Sequence, residues 1–160
     1  MNNYNYTKED IVNSLKKVGL KKGDNVFTHS NLGFFGKLKD ANNKEEYYKI
    51  FKEAFFEVIG EEGTLIIPTF SYSFCKKEKF SIKETKGLPG IMSEMALLDE
   101  EGIRSNDPNF SIVAIGKNAK YFTKNPPPHS FGKNCFWERF LEKNGIFCNL
   151  NFDSGSTFIH

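Results

Sequence analysis

Four short apolar runs alternate along this chain with four stretches of helical spacing, and that alternation constrains the fold more than any single residue does. The runs are centred on Val26 and Phe27, on Thr64 to Phe70, on Ser111 to Ile115, and on Ile146, Phe147 and Leu150. Each run is too short for a helix and is bounded by turn residues, so each reads as a buried strand. Helix then strand, repeated four times, predicts an α/β fold. The expected form is a three-layer-like sandwich with a largely parallel central sheet and helices on both faces.

The helices have readable ends. Thr7 followed by Asp10 has the shape of an N-terminal cap, and Ile11, Val12, Leu15 and Val18 recur at helical spacing until Gly19. Asn43 to Ile59 places Tyr47, Phe51, Ala54, Phe55 and Val58 on one face, with Gly60 as the stop. Gly90 to Leu98 is expected as a short helix packed through Ile91, Met92, Met95, Leu97 and Leu98. Cys135 begins another, buried through Phe136, Phe140 and Leu141. Pro126, Pro127 and Pro128 form a stiff extended connector.

Composition narrows the class. The 160 residues suit one domain with its own core, and the 17 Phe and 6 Tyr are read mainly as packing for that core. Phe34, Phe35, Phe51, Phe55, Phe56, Phe70, Phe74 and Phe110 are assigned to it, the alternative being an aromatic acceptor pocket. A net charge of +2 scattered along the chain gives no footprint for nucleic acid or an anionic membrane. No apolar run approaches the roughly 20 residues of a membrane helix, and the first residues lack the pattern of a signal peptide, so a cytoplasmic protein is expected. Cys75, Cys135 and Cys148 form no C-x-x-C, so they are expected as reduced thiols and no metal site is expected. No feature of the sequence sets an oligomeric state.

Function is sought where strands end. Open α/β sheets bind ligands beyond the carboxyl ends of their strands, and here those ends carry HSNLG, PTFSYS, RSNDPNFS and FDSGSTFIH. Asp153, Thr157 and His160 follow the fourth strand, where a reacting group would be handled, and a histidine there can titrate near neutral pH.

These stretches carry a resemblance. TFIH after an apolar strand and an Asp/Ser/Gly loop is similar to the T-x-x-H signature of the aminoglycoside 3-N-acetyltransferase family. GLKKGDNVFTHSNLGFFG resembles that family's opening strand and loop, TLIIPTFSYSF its second strand, GIMSE its short helix start, and RSNDPNFSIVAIG its R-S-x-H-P-x-x-S segment. The blocks occur in the family's order. The resemblance implies a single acetyltransferase domain over residues 1–160, incomplete at its carboxyl end because the family motif runs on to a glutamate three residues past the histidine. It implies acetyl-CoA as co-substrate, no metal, and a small-molecule amine on an amino sugar as acceptor.

The resemblance also distributes roles. His160 is the general base for direct attack of the amine on the thioester, and Ser30 donates to the developing oxyanion. His29, Ser30, Asn31, Leu32 and Thr69 help hold the donor. Arg104 and Ser105 are placed to meet coenzyme A phosphates or pantetheine amides, the alternative for Arg104 being a salt bridge that closes the turn around Asp107. Ser111 and Val113 would touch the donor through their backbone, as in strand addition. Glu94, Asp107, Asp153 and Thr157 are expected toward the acceptor, with a solvated helix charge as the other reading of Glu94. Asp107 stands where the family has a histidine, Cys135 and Phe136 where it often has Ser-Pro, and Leu150 or a neighbour where it often has glycine. Those departures bear on the acceptor. Two other classes remain open: a covalent acyltransferase using Cys135 with His129 and Asp107, and a coenzyme A-binding or interaction domain without turnover.

Overall fold

The computed structural model describes residues 4–151. Helix α1 spans Lys8–Lys17, and its expected cap is a full capping box: the Thr7 side chain accepts from the Asp10 amide while the Asp10 carboxylate accepts from the Thr7 amide. Strand β1 is Asn25–Phe27, followed by a single 3-10 turn at Leu32–Phe34. Helix α2, Lys44–Ile59, is capped by the Asn43 side chain and ends at Gly60, whose φ of 65° suits a residue without a Cβ. Strand β2 is Thr64–Pro68, α3 is Ile91–Ala96, β3 is Ile103–Arg104 and β4 is Ile112–Gly116. Helix α4, Ala119–Thr123, helix α5, Phe136–Glu142, and β5, Ile146–Phe147, complete the described chain.

The strands form one sheet in the order β3-β4-β2-β1-β5. β1 is parallel to both β2 and β5, whereas β4 is antiparallel to β2 and to β3. Four of the five strands therefore share one direction, and β4 alone is reversed. The largely parallel expectation stands with this amendment: two of the four pairings are antiparallel. β3 and α4 are additions to the elements read from the sequence.

Register makes the two layers of core. Val26, Leu65 and Ile115 lie opposite one another across three strands, and so do Phe27, Ile66 and Ala114. Because alternate residues face opposite sides of a sheet, the first set meets α1, α2 and α3 through Leu15, Phe51, Phe55 and Met92. The second set meets α4 and α5 through Phe122, Trp137 and Phe140. Burying each such large side chain stabilises the fold by about 1.5–3 kcal/mol relative to exposure. Phe27 is central to the second layer, with its ring 5.5 Å from Trp137 and 5.4 Å from Phe147. Gly145 allows α5 to turn tightly into β5, since a Cβ there would fall 2.2 Å from the Phe140 ring.

Some expected faces shift. Trp137, not Leu141, is buried beside Phe140, and Leu141 is 56% exposed. Val18 and Leu98 fall just beyond their helices and are exposed, as are Phe34, Phe35 and Phe74 among the aromatics assigned to the core. All five belong to loops or helix ends, where spacing no longer fixes a face.

Candidate functional site

The reversal of β4 gathers the chemistry at one edge. Carboxyl ends of β1, β2, β3 and β5 lie there, and the antiparallel β4 brings its amino end to the same side. HSNL, PTF, RS and NFS are thus neighbours across the sheet. Beyond β1 the pairing continues: the Thr28 amide donates to Ile66, the Leu150 amide donates to the His29 carbonyl at 2.7 Å, and the Asn31 amide donates to the Leu150 carbonyl at 2.9 Å. Ser30 and Leu150 form a parallel bridge.

A cleft of about 150 Å³ opens between this end of β1, the end of β2 and the start of α3. Thr28, His29 and Ser30 form one wall, Ile67, Pro68 and Phe70 the floor, and the 88–93 segment the other side. The His29 ring stands edge-on to Phe27 at 5.1 Å and to Phe70 at 6.1 Å. Its burial lowers the imidazole pKa from 6.5, so the ring is neutral at pH 7. Thr28 is fully buried, and among the described residues neither its hydroxyl nor that of Ser93 has a hydrogen-bond partner. Both line the cleft. Neither residue stands out in the sequence, where Thr28 directly follows the apolar Val26 and Phe27 and Ser93 lies within a short helix.

Several expected donor-binding side chains have occupations inside the fold. Thr69 and Ser111 are fully buried and lock two strand ends together. Thr69 Oγ1 donates to the Ser111 carbonyl at 3.0 Å, and Ser111 Oγ donates to the Thr69 carbonyl at 2.7 Å. Ser105 Oγ accepts from the Ile112 amide and extends the β3–β4 ladder. Leu32 packs its side chain in the core. For Val113 the strand-addition expectation is corrected: its backbone is paired with Ile67 on one side and Arg104 on the other, and its side chain is core. An interior strand has no open edge to offer.

Arg104 is a staple. Its Nη1 donates to the carbonyls of Ile82 at 3.0 Å and Thr85 at 2.6 Å, Nη2 donates to the Thr69 carbonyl at 3.2 Å, and Nε and Nη2 reach Ser111 Oγ. The guanidinium also lies 4.9 Å over the Phe80 ring, and burial lowers its pKa without depriving it of charge. The salt bridge to Asp107 is not what closes the turn. Asp107 Oδ1 instead accepts from the amides of Asn109 and Phe110, both at 2.8 Å, and from Ser130 Oγ, which ties the triproline segment to this edge. Glu94 pairs with Lys44 at 2.5 Å and accepts from the Gly90 amide at the start of α3, and these bonds lower its pKa. That matches the reading of Glu94 as a helix charge. Asp153, Thr157 and His160 lie outside the described residues.

The covalent alternative fares poorly on geometry. Cys135 is the N-cap of α5, but its sulfur is buried among Phe122, Trp137 and Phe140 and accepts from the Glu138 amide at 3.5 Å. Asp107 is committed to its own turn. Among the described residues no helix is long and apolar enough to cross a membrane.

A family model described as Aminoglycoside 3-N-acetyltransferase matches residues 27–160. The SPbeta prophage-derived aminoglycoside N(3')-acetyltransferase-like protein YokD of Bacillus subtilis (strain 168) is 30% identical over 178 aligned positions, covering 95% of this chain and 63% of the relative. This chain thus spans less than two thirds of that protein's length. Its crystal structure superposes with a TM-score of 0.81 at 24% identity, covering 96% of this chain and 63% of that one. AAC-IIIb in a binary complex with CoASH gives 0.76 at 19% identity, over 91% of this chain and 59% of its own. AAC-VIa bound to sisomicin gives 0.77 at 20% identity, over 95% and 62%. At these identities the structures establish the shared α/β fold, and the family match rests on the sequence from Phe27 onward. The chain belongs to the aminoglycoside 3-N-acetyltransferase family.

Proposed function

We propose that this protein transfers an acetyl group from acetyl-CoA to an amine of an amino sugar, by direct attack of the amine on the thioester, with His160 as general base. The observation that carries this reading is the pairing of Leu150 with His29, Ser30 and Asn31, because it brings the chain that leads to the T-x-x-H motif alongside the HSNL loop. The family match running through His160 supports the same assignment. The CoASH complex of AAC-IIIb supports coenzyme A as the donor, and the sisomicin complex of AAC-VIa supports an acceptor of the aminoglycoside type.

The chemistry needs a base. A sugar amine is mostly protonated at pH 7 and cannot attack a carbonyl until it gives up a proton. As the carbon–nitrogen bond forms, the His160 imidazole takes that proton, the carbonyl carbon–sulfur bond breaks, and coenzyme A departs as a thiolate that is then protonated. The Ser30 hydroxyl donates to the oxygen on which charge develops, a contribution of about 3 kcal/mol when well aimed. Neutral His29 beside it leaves the oxyanion to neutral donors.

The test uses the intact protein, with thiol release as the readout. His160→Ala should lower kcat by on the order of 100-fold while leaving acetyl-CoA binding nearly unchanged, since the base acts on the amine and not on the donor. The acidic limb of the rate profile, expected near the unperturbed imidazole value of about 6.5, should flatten with it. A wild-type rate in His160→Ala would place the base elsewhere.

A further inference from the structure

The cleft beside His29 is larger than an acetyl group requires. A cavity of about 150 Å³ lined by aliphatic and aromatic groups takes up benzene, six carbon atoms. An acetyl group has three non-hydrogen atoms and a butyryl group five. The cleft here has that same volume, and its deep walls are the apolar side chains of Ile67, Phe70 and Met92, each no more than 4% exposed. At its polar side stand the buried Thr28 and Ser93 hydroxyls, neither with a partner among the described residues. An apolar recess with unsatisfied hydroxyl donors suits a short hydrocarbon attached to a carbonyl.

The outer wall is built to stay in place. The Leu88 amide donates to the Phe70 carbonyl at 2.7 Å, which lays the 85–90 segment against the end of β2. Gly87 makes that approach possible: a Cβ there would stand 2.7 Å from Ser93 Oγ and 3.2 Å from the Thr69 backbone. Arg104 fastens the same segment through the Ile82 and Thr85 carbonyls. The recess is therefore a fixed part of the fold.

Resting on the acetyl-CoA reading above, we propose that this cleft is an acyl pocket that admits short-chain acyl donors, propionyl and butyryl as well as acetyl, with Thr28 and Ser93 donating to the acyl carbonyl. The acyl chain lies along Ile67, Phe70 and Met92 with Leu88 at the mouth. Each methylene buried there should tighten donor binding by about fourfold until the pocket is full.

Calorimetry of the intact protein with free CoA and with acetyl-, propionyl-, butyryl- and octanoyl-CoA tests this. Affinity should rise from acetyl to butyryl by about fifteenfold, two methylenes at about fourfold each, and fall again for octanoyl, which overfills the space. Leu88→Trp, at a position already 44% exposed, should abolish the rise while leaving free CoA binding as it was. Thr28→Val should weaken every acyl-CoA relative to free CoA. Affinity that is flat or falling from acetyl to butyryl, or a rise untouched by Leu88→Trp, would overturn the pocket and leave the acetyltransferase reading standing. Failure of free CoA and all four thioesters to bind would refute the donor itself, and this proposal with it.

Discussion

Removing the Arg104 side chain is the most informative single perturbation of this edge. Five hydrogen bonds from its guanidinium reach four acceptors, but they are not equally exposed to its loss. The Thr69 carbonyl keeps a bond from Ser111 Oγ, and Ser111 Oγ keeps its contact with Thr69 Oγ1. The Ile82 and Thr85 carbonyls are different, because Arg104 is what ties them to the sheet. Two charge-assisted bonds at about 1.5 kcal/mol each put the cost of Arg104→Ala near 3 kcal/mol. For a domain of this size that is a fall in Tm of about 6–12 °C without any ligand present.

Thermal unfolding reads the global effect, and trypsin reads the local one. Lys83 and Lys86 sit on the segment that Arg104 fastens, so cleavage after them should accelerate in Arg104→Ala well beyond cleavage elsewhere. Arg104→Lys should recover only part of the loss, because one ammonium cannot span both carbonyls as the planar fork does. An unliganded Tm within about 1 °C of wild type, with unchanged cleavage at Lys83 and Lys86, would refute the staple. A variant that keeps its Tm but loses affinity for coenzyme A would instead return Arg104 to the phosphate-binding role that the family resemblance suggests.

Two further outcomes follow from the geometry. Burial of Asp99 works to raise its pKa, yet the bonds from Lys52 at 2.7 Å and Tyr48 at 2.6 Å outweigh it and hold the carboxyl below 3.8; stability from this cluster is therefore present above pH 4 and lost as pH falls through the folded value. Asp99→Asn should cost about 2 kcal/mol at pH 7 and make Tm fall less steeply from pH 5 to pH 2, and an unchanged slope would show that the carboxylate is not what titrates. Cys135→Ser should leave thiol release within about twofold of wild type, since direct attack asks nothing of that sulfur. Loss of turnover together with an acetylated Cys135 in the wild-type mass spectrum would restore the covalent route.

Much of the scaffold is legible because its longer elements repeat a physical pattern many times. Thr7 with Asp10, and Asn43 with Gly60, mark helix ends by side-chain chemistry that needs no tertiary information. TLIIP and the Ile112–Gly116 run are buried on both faces, which is why they read as unbroken apolar stretches. Ile103–Arg104 offers only two residues, too few for any period, and α4 offers five. Trp137 took the buried place given to Leu141 because a seven-residue helix leaves its phase to be set by neighbours, here the Phe27 and Phe131 rings. At the site, residue type alone does not reveal which polar side chains also have a structural partner. Arg104, Thr69, Ser105 and Ser111 look like ligand-binding groups in a sequence, and only coordinates reveal that backbone carbonyls and amides already engage them.

The direction of β4 is the point on which the site depends. Arg104 and Ile112 are separated by residues 105–111, far fewer than the dozen or so that a parallel crossover needs, so once β3 is recognised the two strands must run antiparallel. Had β4 followed its neighbours, Ser111 and the 107–110 turn would lie at the opposite edge, beside the Asn25–Asn118 contact that closes the far end of the sheet. Ser111 would then be unable to join Thr69 and Arg104, and the segment bearing Leu88 would lose its anchor. The hairpin thus accounts for both the cleft and its outer wall: it reverses one strand, and that reversal brings Arg104 within reach of the carbonyls that hold the 82–90 segment against His29's side of the sheet.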